Sequence, residues 1–184
     1  MKIMDIVNYG NSILNKKCSP VSDFSDIKLV IEKMFDSMYE AEGIGLAANQ
    51  VGLDLNLFII DITHTEEAEK PHVFINSEIL SFHGQKTFFQ EGCLSLPGIA
   101  LDVERPEKVV LKYQTLDQNW HENEFEGLLA RAIQHEMDHL NGIFIIDRVS
   151  EAEKIKYKKE LKILAADSKN RQKIKSEIIE KFVP

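Results

Sequence analysis

The 184-residue chain contains only two cysteines, too few for a disulfide framework, so its fold must rest on a packed core and its chemistry suits a reducing compartment. Prolines number five, glycines nine and tryptophan one, which excludes collagen-like or low-complexity architecture. No apolar run approaches the roughly 20 residues that span a bilayer, and the start Met1-Lys2-Ile3-Met4-Asp5 lacks the apolar stretch of a secretory signal. Basic charge is also scarce. With 22 Lys/Arg against 30 Asp/Glu and a net charge of −8, the body is unsuited to general nucleic-acid binding. From these absences we expect a cytoplasmic protein with no membrane and no DNA partner. At 43% hydrophobic residues, the chain is expected to build one compact domain with a real core.

What is present begins with His135-Glu136-Met137-Asp138-His139, an H-E-x-x-H pattern. The spacing predicts a helix over 123–142, with Phe125, Leu128, Leu129, Ala132, Ile133 and Leu140 at three- and four-residue steps, Asn123 as its cap and Gly142 as its end. On such a helix Leu128, Ala132, His135 and His139 form one stripe, and two imidazoles one turn apart can share a divalent metal. A neighbouring carboxylate, Glu136, can take a proton from water polarised by that metal. This is the water-activating centre of a hydrolase.

Catalytic sites of this kind usually have three protein ligands. No histidine follows His139 and the glutamates beyond it fall in a highly charged tail, so the candidates for the third donor are Cys18, Cys93, His64, His72, His83 and His121 upstream. Cys93 stands out because it sits in the small-residue turn Glu91-Gly92-Cys93-Leu94-Ser95, ahead of Leu96-Pro97-Gly98. A metal dication keeps such a thiolate ionised. Cys18, beside Lys17 and before Ser19-Pro20, reads as a spare thiol of an N-terminal arm.

A third segment, Gly43-Ile44-Gly45-Leu46-Ala47-Ala48-Asn49-Gln50, carries glycines where a substrate backbone could approach closely. It is not a phosphate loop, since no Gly-Lys-Ser/Thr follows. Gln50 offers a neutral amide donor, suited to an oxyanion more than to a metal.

Together these three segments resemble the peptide deformylase family, which is marked by Gly-hydrophobic-Gly-hydrophobic-Ala-Ala-x-Gln, Glu-Gly-Cys-Leu-Ser and Gln-His-Glu-x-Asp-His-Leu. Residues 43–50, 91–95 and 134–140 match at every defined position, and the resemblance covers roughly residues 1–150. It implies metal ligands at Cys93, His135 and His139, a general acid/base at Glu136, and oxyanion donors from the Gln50 side chain and the Leu94 backbone N–H. It implies one divalent ion, ferrous iron in many members and zinc, nickel or cobalt in others. The implied reaction removes the formyl group from N-formylmethionyl nascent peptides. An apolar slot for the methionine side chain is expected around Ile44, Gly45, Leu128 and Ala132. Two other readings stay open: an H-E-x-x-H peptidase using the same centre, and a non-catalytic, metal-stabilised binding module.

The remaining pattern predicts a helix over 26–42, capped by Ser25, ended by Gly43, and buried through Ile27, Val30, Ile31, Met34, Phe35 and Met38. Strands are expected at 56–62, 72–76, 79–83, 86–90, 99–104, 107–115 and 119–122, and an exposed loop at 63–71. The fold class is α+β, with small, mostly antiparallel sheets around the metal-bearing helix and a C-terminal helix. Residues 1–149 read as the catalytic domain and 150–184 as its basic helical extension. The extension opens with the capping box Ser150-x-x-Glu153 and holds 10 Lys/Arg against 6 Asp/Glu, while the rest of the chain carries −12. That asymmetry suits ribosomal RNA, and Ile155, Leu161 and Leu164 offer the alternative of packing on the body.

Overall fold

A computed structural model of the chain describes residues 3–66 and 70–182, with side chains as far as residue 173. Residues 67–69 of the expected loop therefore lie outside the described residues. The elements run α1 (Ile27–Glu40), β1 (Gly45–Ala47), β2 (Leu57–Ile60), β3 (His72–Gly92), β4 (Ala100–Gln114), β5 (Trp120–Glu126), α2 (Gly127–Leu140), α3 (Glu151–Lys156) and α4 (Lys158–Phe182). The strands form one five-stranded sheet in chain order, and every neighbouring pair is antiparallel.

The run Leu57–Ile60 explains how the sheet holds two helices. All four residues are buried, and their side chains alternate between two cores. Phe58 and Ile60 join Phe74, Val109 and Leu111 against Leu129, Ile133, Met137 and Leu140 of α2. Leu57 and Ile59 join Leu46 and Ile75 against Ile27, Ile31, Met34 and Met38 of α1. A third core packs Leu14, Leu96, Ile99, Leu101 and Val103 with Phe144, Ile145, Ile146 and Leu161. Thus α2, the helix of the H-E-x-x-H pattern, is fixed on the sheet through Leu129, Ile133, Met137 and Leu140.

Several expected boundaries shift, each for a local reason. Asn123 does not cap a helix. Residues 120–126 pair with β4, with Asn123 opposite Leu111 and Phe125 opposite Val109, and Phe125 packs on Phe74 with ring centroids 5.6 Å apart. Strand pairing wins there, and Gly127, at φ +64, turns the chain into α2. Ser25 is not a cap either: its hydroxyl donates to Asp23 at 2.5 Å, and α1 starts at Ile27. That helix ends at Glu40. Glu42 takes φ +56, and Gly43 N–H donates to Met38 O at 2.9 Å, a Schellman-type close. The three short segments expected between residues 72 and 90 are one strand, broken in register at Ile75/Glu78, Ile79/Ser81 and His83/Lys86. Those bulges interrupt the period-two pattern that a sequence reading depends on. Residues 99–104 and 107–115 likewise merge into β4, through Pro106.

The extension packs on the body through its proximal half. Ser150 Oγ accepts from Glu153 N–H at 3.2 Å, the forward half of the expected capping box. Leu161 is 8% exposed, and Tyr157 and Leu164 flank the same core while Ile155 stays exposed. A Cβ on Gly10 would lie 2.6 Å from Ala165 Cα, so α4 sits directly on the backbone of the N-terminal arm. Ser168 Oγ donates to Asn8 O at 3.2 Å. Truncation after Val149 should therefore lower the melting temperature by roughly 5–10 °C, because burying a leucine stabilises by about 1.5–3 kcal/mol and each kcal/mol is worth about 2–4 °C at this size. Thermal melts of the full and shortened chains measure this; an unchanged midpoint would show that the helix contributes nothing to the body.

Candidate active site

The candidate residues converge on one cavity of about 810 Å³ between α2, the β1 segment and the turn after β3. Ile44, Gly45, Gln50, Cys93, Leu94, Leu128, Ala132, His135 and Glu136 all line it. His139 lies behind them, almost fully buried. Helical periodicity brings the His135 and His139 rings together edge to face, with centroids 5.0 Å apart. The turn that follows β3 brings Cys93 Sγ to 3.1 Å from His139 Nε2. The donor atoms of Cys93, His135 and His139 lie within 4.8 Å of one another, the one such cluster of three or more His, Cys, Asp or Glu among the described residues. Cys18 is in the core between the sheet and α2, and His72 stacks on Phe74; neither joins the cluster.

The electrostatics suit a cation. Burial would raise the Cys93 thiol, but the His139 and His135 imidazoles outweigh it and bring the pKa down to about 5. Burial also disfavours charge on His135, yet its bonds to Cys93 and Glu91 hold its pKa well above the ordinary value. A divalent cation would take the place of the His135 proton, so its affinity should rise with pH. One thiolate and two imidazoles form a donor set that fits iron, zinc, nickel or cobalt. Glu91 Oε2, 3.0 Å from His135 Nδ1, leaves the other ring nitrogen for the cluster, the usual arrangement behind a histidine ligand.

Glu136 is 4% exposed; burial raises its pKa, and its Oε2 has no protein partner. A side chain at position 45 would displace the Glu136 carboxylate, because a Cβ there would lie 2.4 Å from Glu136 Oε1. The Gln50 amide is fixed at both ends. Its Oε1 accepts from Ala47 N–H at 2.9 Å. Its Nε2 donates to Ser95 Oγ at 3.2 Å and faces Cys93 Sγ at 3.8 Å. Ser95 Oγ in turn donates to Val7 O at 2.8 Å, and Val7 N–H donates to Gln50 O at 2.8 Å. The N-terminal arm thereby splints Gln50 and the turn that carries Cys93.

Sequence reading missed the surroundings of this site. Arg105 donates to both Glu91 and Asp138 from a buried position. Its signal was parity: Leu101, Val103 and Arg105 share the inward face of β4. Phe89 and Arg131 line the cavity, with the guanidinium 5.4 Å from the ring centre.

The two thiols should react differently. The two imidazoles beside Cys93 favour its thiolate, whereas burial, followed by the Asp54 charge, pushes Cys18 up to about 11. In chelator-treated protein at pH 7, iodoacetamide should label Cys93 at least tenfold faster than Cys18, and added Zn²⁺ should protect it. Labelling of Cys18 first, read by mass spectrometry, would contradict the assignment.

A thiolate, two imidazoles of an H-E-x-x-H helix and a buried carboxylate around one cavity define a metal-dependent hydrolase. The comparisons make the class specific. The polypeptide deformylase family model matches residues 3–155. A peptide deformylase of Acidobacterium capsulatum is 44% identical over 151 residues, 82% of this chain and 88% of that protein. One from Thermotoga maritima is 40% identical over 158 residues, 85% of this chain and 93% of its own length. Among solved structures, the Plasmodium falciparum peptide deformylase superposes with a TM-score of 0.84 at 38% identity, covering 90% of this chain and 98% of that one. The Synechococcus elongatus enzyme in complex with actinonin gives 0.76 at 40% identity, over 90% and 85%. The chain belongs to the peptide deformylase family, metal-dependent enzymes that remove the N-formyl group from nascent peptides.

Proposed function

We propose that this chain hydrolyses N-formylmethionyl peptides at the cavity described above, with Cys93, His135 and His139 holding one divalent ion, Fe²⁺ in the cell and replaceable by Zn²⁺, Ni²⁺ or Co²⁺. The observation that carries the reading is the convergence of that donor set with the unpartnered Glu136 Oε2 and the fixed Gln50 amide on one cavity. When bound, the ion supplies a Lewis acid that lowers the pKa of water and polarises the formyl carbonyl. Glu136 takes a proton from the attacking water, as its raised pKa suits. The Gln50 Nε2 amide and the Leu94 N–H donate to the oxygen on which negative charge develops. Glu136 then returns the proton to the departing amine as the C–N bond breaks, giving formate and a free N-terminus. Ile44, Gly45, Leu128 and Ala132 line the slot for the methionine side chain.

The substrates would be nascent chains in the cytoplasm; among the described residues, no helix is long and apolar enough to cross a membrane. The basic α4 suits contact with ribosomal RNA, while its proximal half also serves the body. The peptidase and binding-module alternatives lack support from the comparisons, whose curated relatives bear the deformylase name. Formyl-Met-Ala-Ser, acetyl-Met-Ala-Ser and an unblocked internal peptide should be offered to the metal-loaded protein. Formate release from the first alone is expected. Cleavage of the internal peptide would favour the peptidase reading.

A further inference from the structure

Five charged side chains form one hydrogen-bonded chain that ends on His135. Glu91 Oε1 accepts from Arg105 Nε at 2.7 Å and Arg131 Nη1 at 2.9 Å. Its Oε2 accepts from Arg105 Nη2 at 2.9 Å and lies 3.0 Å from His135 Nδ1. The third nitrogen of the same guanidinium, Arg105 Nη1, donates to Asp138 Oδ2 at 2.8 Å. Arg148 closes the far end, its Nε donating to Asp138 Oδ2 at 3.0 Å and its Nη2 to Oδ1. Glu91, Arg105 and Asp138 are buried, while the Arg148 side chain is 42% exposed. The chain of contacts therefore runs from the segment that leads into α3, through α2 and β4, to a candidate metal donor.

We propose that Arg148 is a positioning residue: by holding Asp138 it fixes Arg105 and Glu91, and through them the orientation of the His135 imidazole toward a divalent cation. The inference rests on the reading of Cys93, His135 and His139 as metal donors. Its physical basis is the sharing of one rigid guanidinium between two buried carboxylates. Glu91 receives two of its N–H groups and Asp138 one. With Arg148 in place, Asp138 has donors on both oxygens. Without it, a buried carboxylate is left short of donors, a costly state, and the nearest fork is Arg105. Rotation of that planar fork toward Asp138 draws it off Glu91. Glu91 then no longer holds Nδ1 of His135 in line, and the ring loses its fixed direction. Three guanidiniums against two carboxylates also fall to an even balance, which changes the field at the cation.

The test uses the full chain and Co²⁺ as probe, comparing the wild type with Arg148→Ala, Arg148→Lys, Lys154→Ala and Cys93→Ser. Lys154 is the control because it pairs with Asp147 at 3.0 Å in the same junction but touches none of the relay. Arg148→Ala should weaken Co²⁺ binding by about tenfold, the scale seen when the partner of a metal ligand is lost, and should shift the visible absorption bands of the bound ion. Arg148→Lys, which keeps the charge and loses the fork, should fall between. Lys154→Ala should match the wild type. Affinity and spectrum unmoved in Arg148→Ala, whatever its melting temperature, would overturn the relay, as would equal weakening in Lys154→Ala. A wild-type spectrum indifferent to Cys93→Ser would overturn the metal reading and the relay with it, whereas dependence on Cys93 with an unmoved Arg148→Ala overturns the relay alone.

Discussion

Replacing Glu136 by Gln is expected to lower kcat by about a thousandfold while the protein still binds one metal ion, since proton transfer by a placed side chain contributes about 10²–10⁴. The substitution is nearly isosteric, which matters here. Glu136 Oε1 sits against Gly45, with no room for a Cβ between them, so a larger change would displace the β1 segment and mix steric damage with lost chemistry. The amide keeps the shape and removes the base. Burial raises the carboxylate pKa, so wild-type activity should rise with pH as Glu136 ionises, and that acidic limb should vanish from the residual activity of the variant. Metal content by atomic absorption, together with kcat across pH, measures both parts. Full turnover by a metal-loaded Glu136→Gln protein would remove Glu136 from the reaction.

Gln50→Glu should cost kcat about a hundredfold or more, the usual effect of losing one oxyanion donor. The hydrogen bonds say why the loss would fall on kcat. One oxygen of the new carboxylate can keep the bond from Ala47 N–H that Oε1 accepts now, so the loop should hold its shape. The other oxygen then stands where Nε2 faces Ser95 and the Cys93 sulfur. A donor becomes a negative acceptor beside a thiolate, and the oxyanion is repelled where it was stabilised. Steady-state kinetics with formyl-Met-Ala-Ser separates the possibilities: an unchanged kcat with a raised KM would make Gln50 a substrate-positioning residue.

Some of this site was legible in the sequence because its rules are local. Two histidines four apart on a helix share a face whatever surrounds them, and the apolar stripe through Leu128 and Ala132 says which way that face points. Other features depended on distant partners. Residues 120–126 look like a helical start until β4 is beside them, and then pairing decides. The register breaks of β3 hid one long strand behind three short ones. In the sequence Gly45 reads as room for a substrate backbone, but the atom that a side chain there would meet belongs to Glu136, far along the chain. The signal of Arg105 lies in parity: a charge on the inward face of a strand must have partners, and Glu91 and Asp138 are those partners.

The splint formed by the N-terminal arm has a consequence for the order of assembly. Val7 secures Gln50 and Ser95, yet the arm itself is seated by α4, through Gly10 on Ala165 and through Asn8 on Ser168, partners 160 positions apart. During synthesis the residues that lock the Gln50 segment leave the ribosome early and wait for the helix that holds them down. Closing so long a loop is a late event. A chain still being made should therefore reach full activity only after α4 has emerged, even though every residue proposed for the chemistry has already been translated.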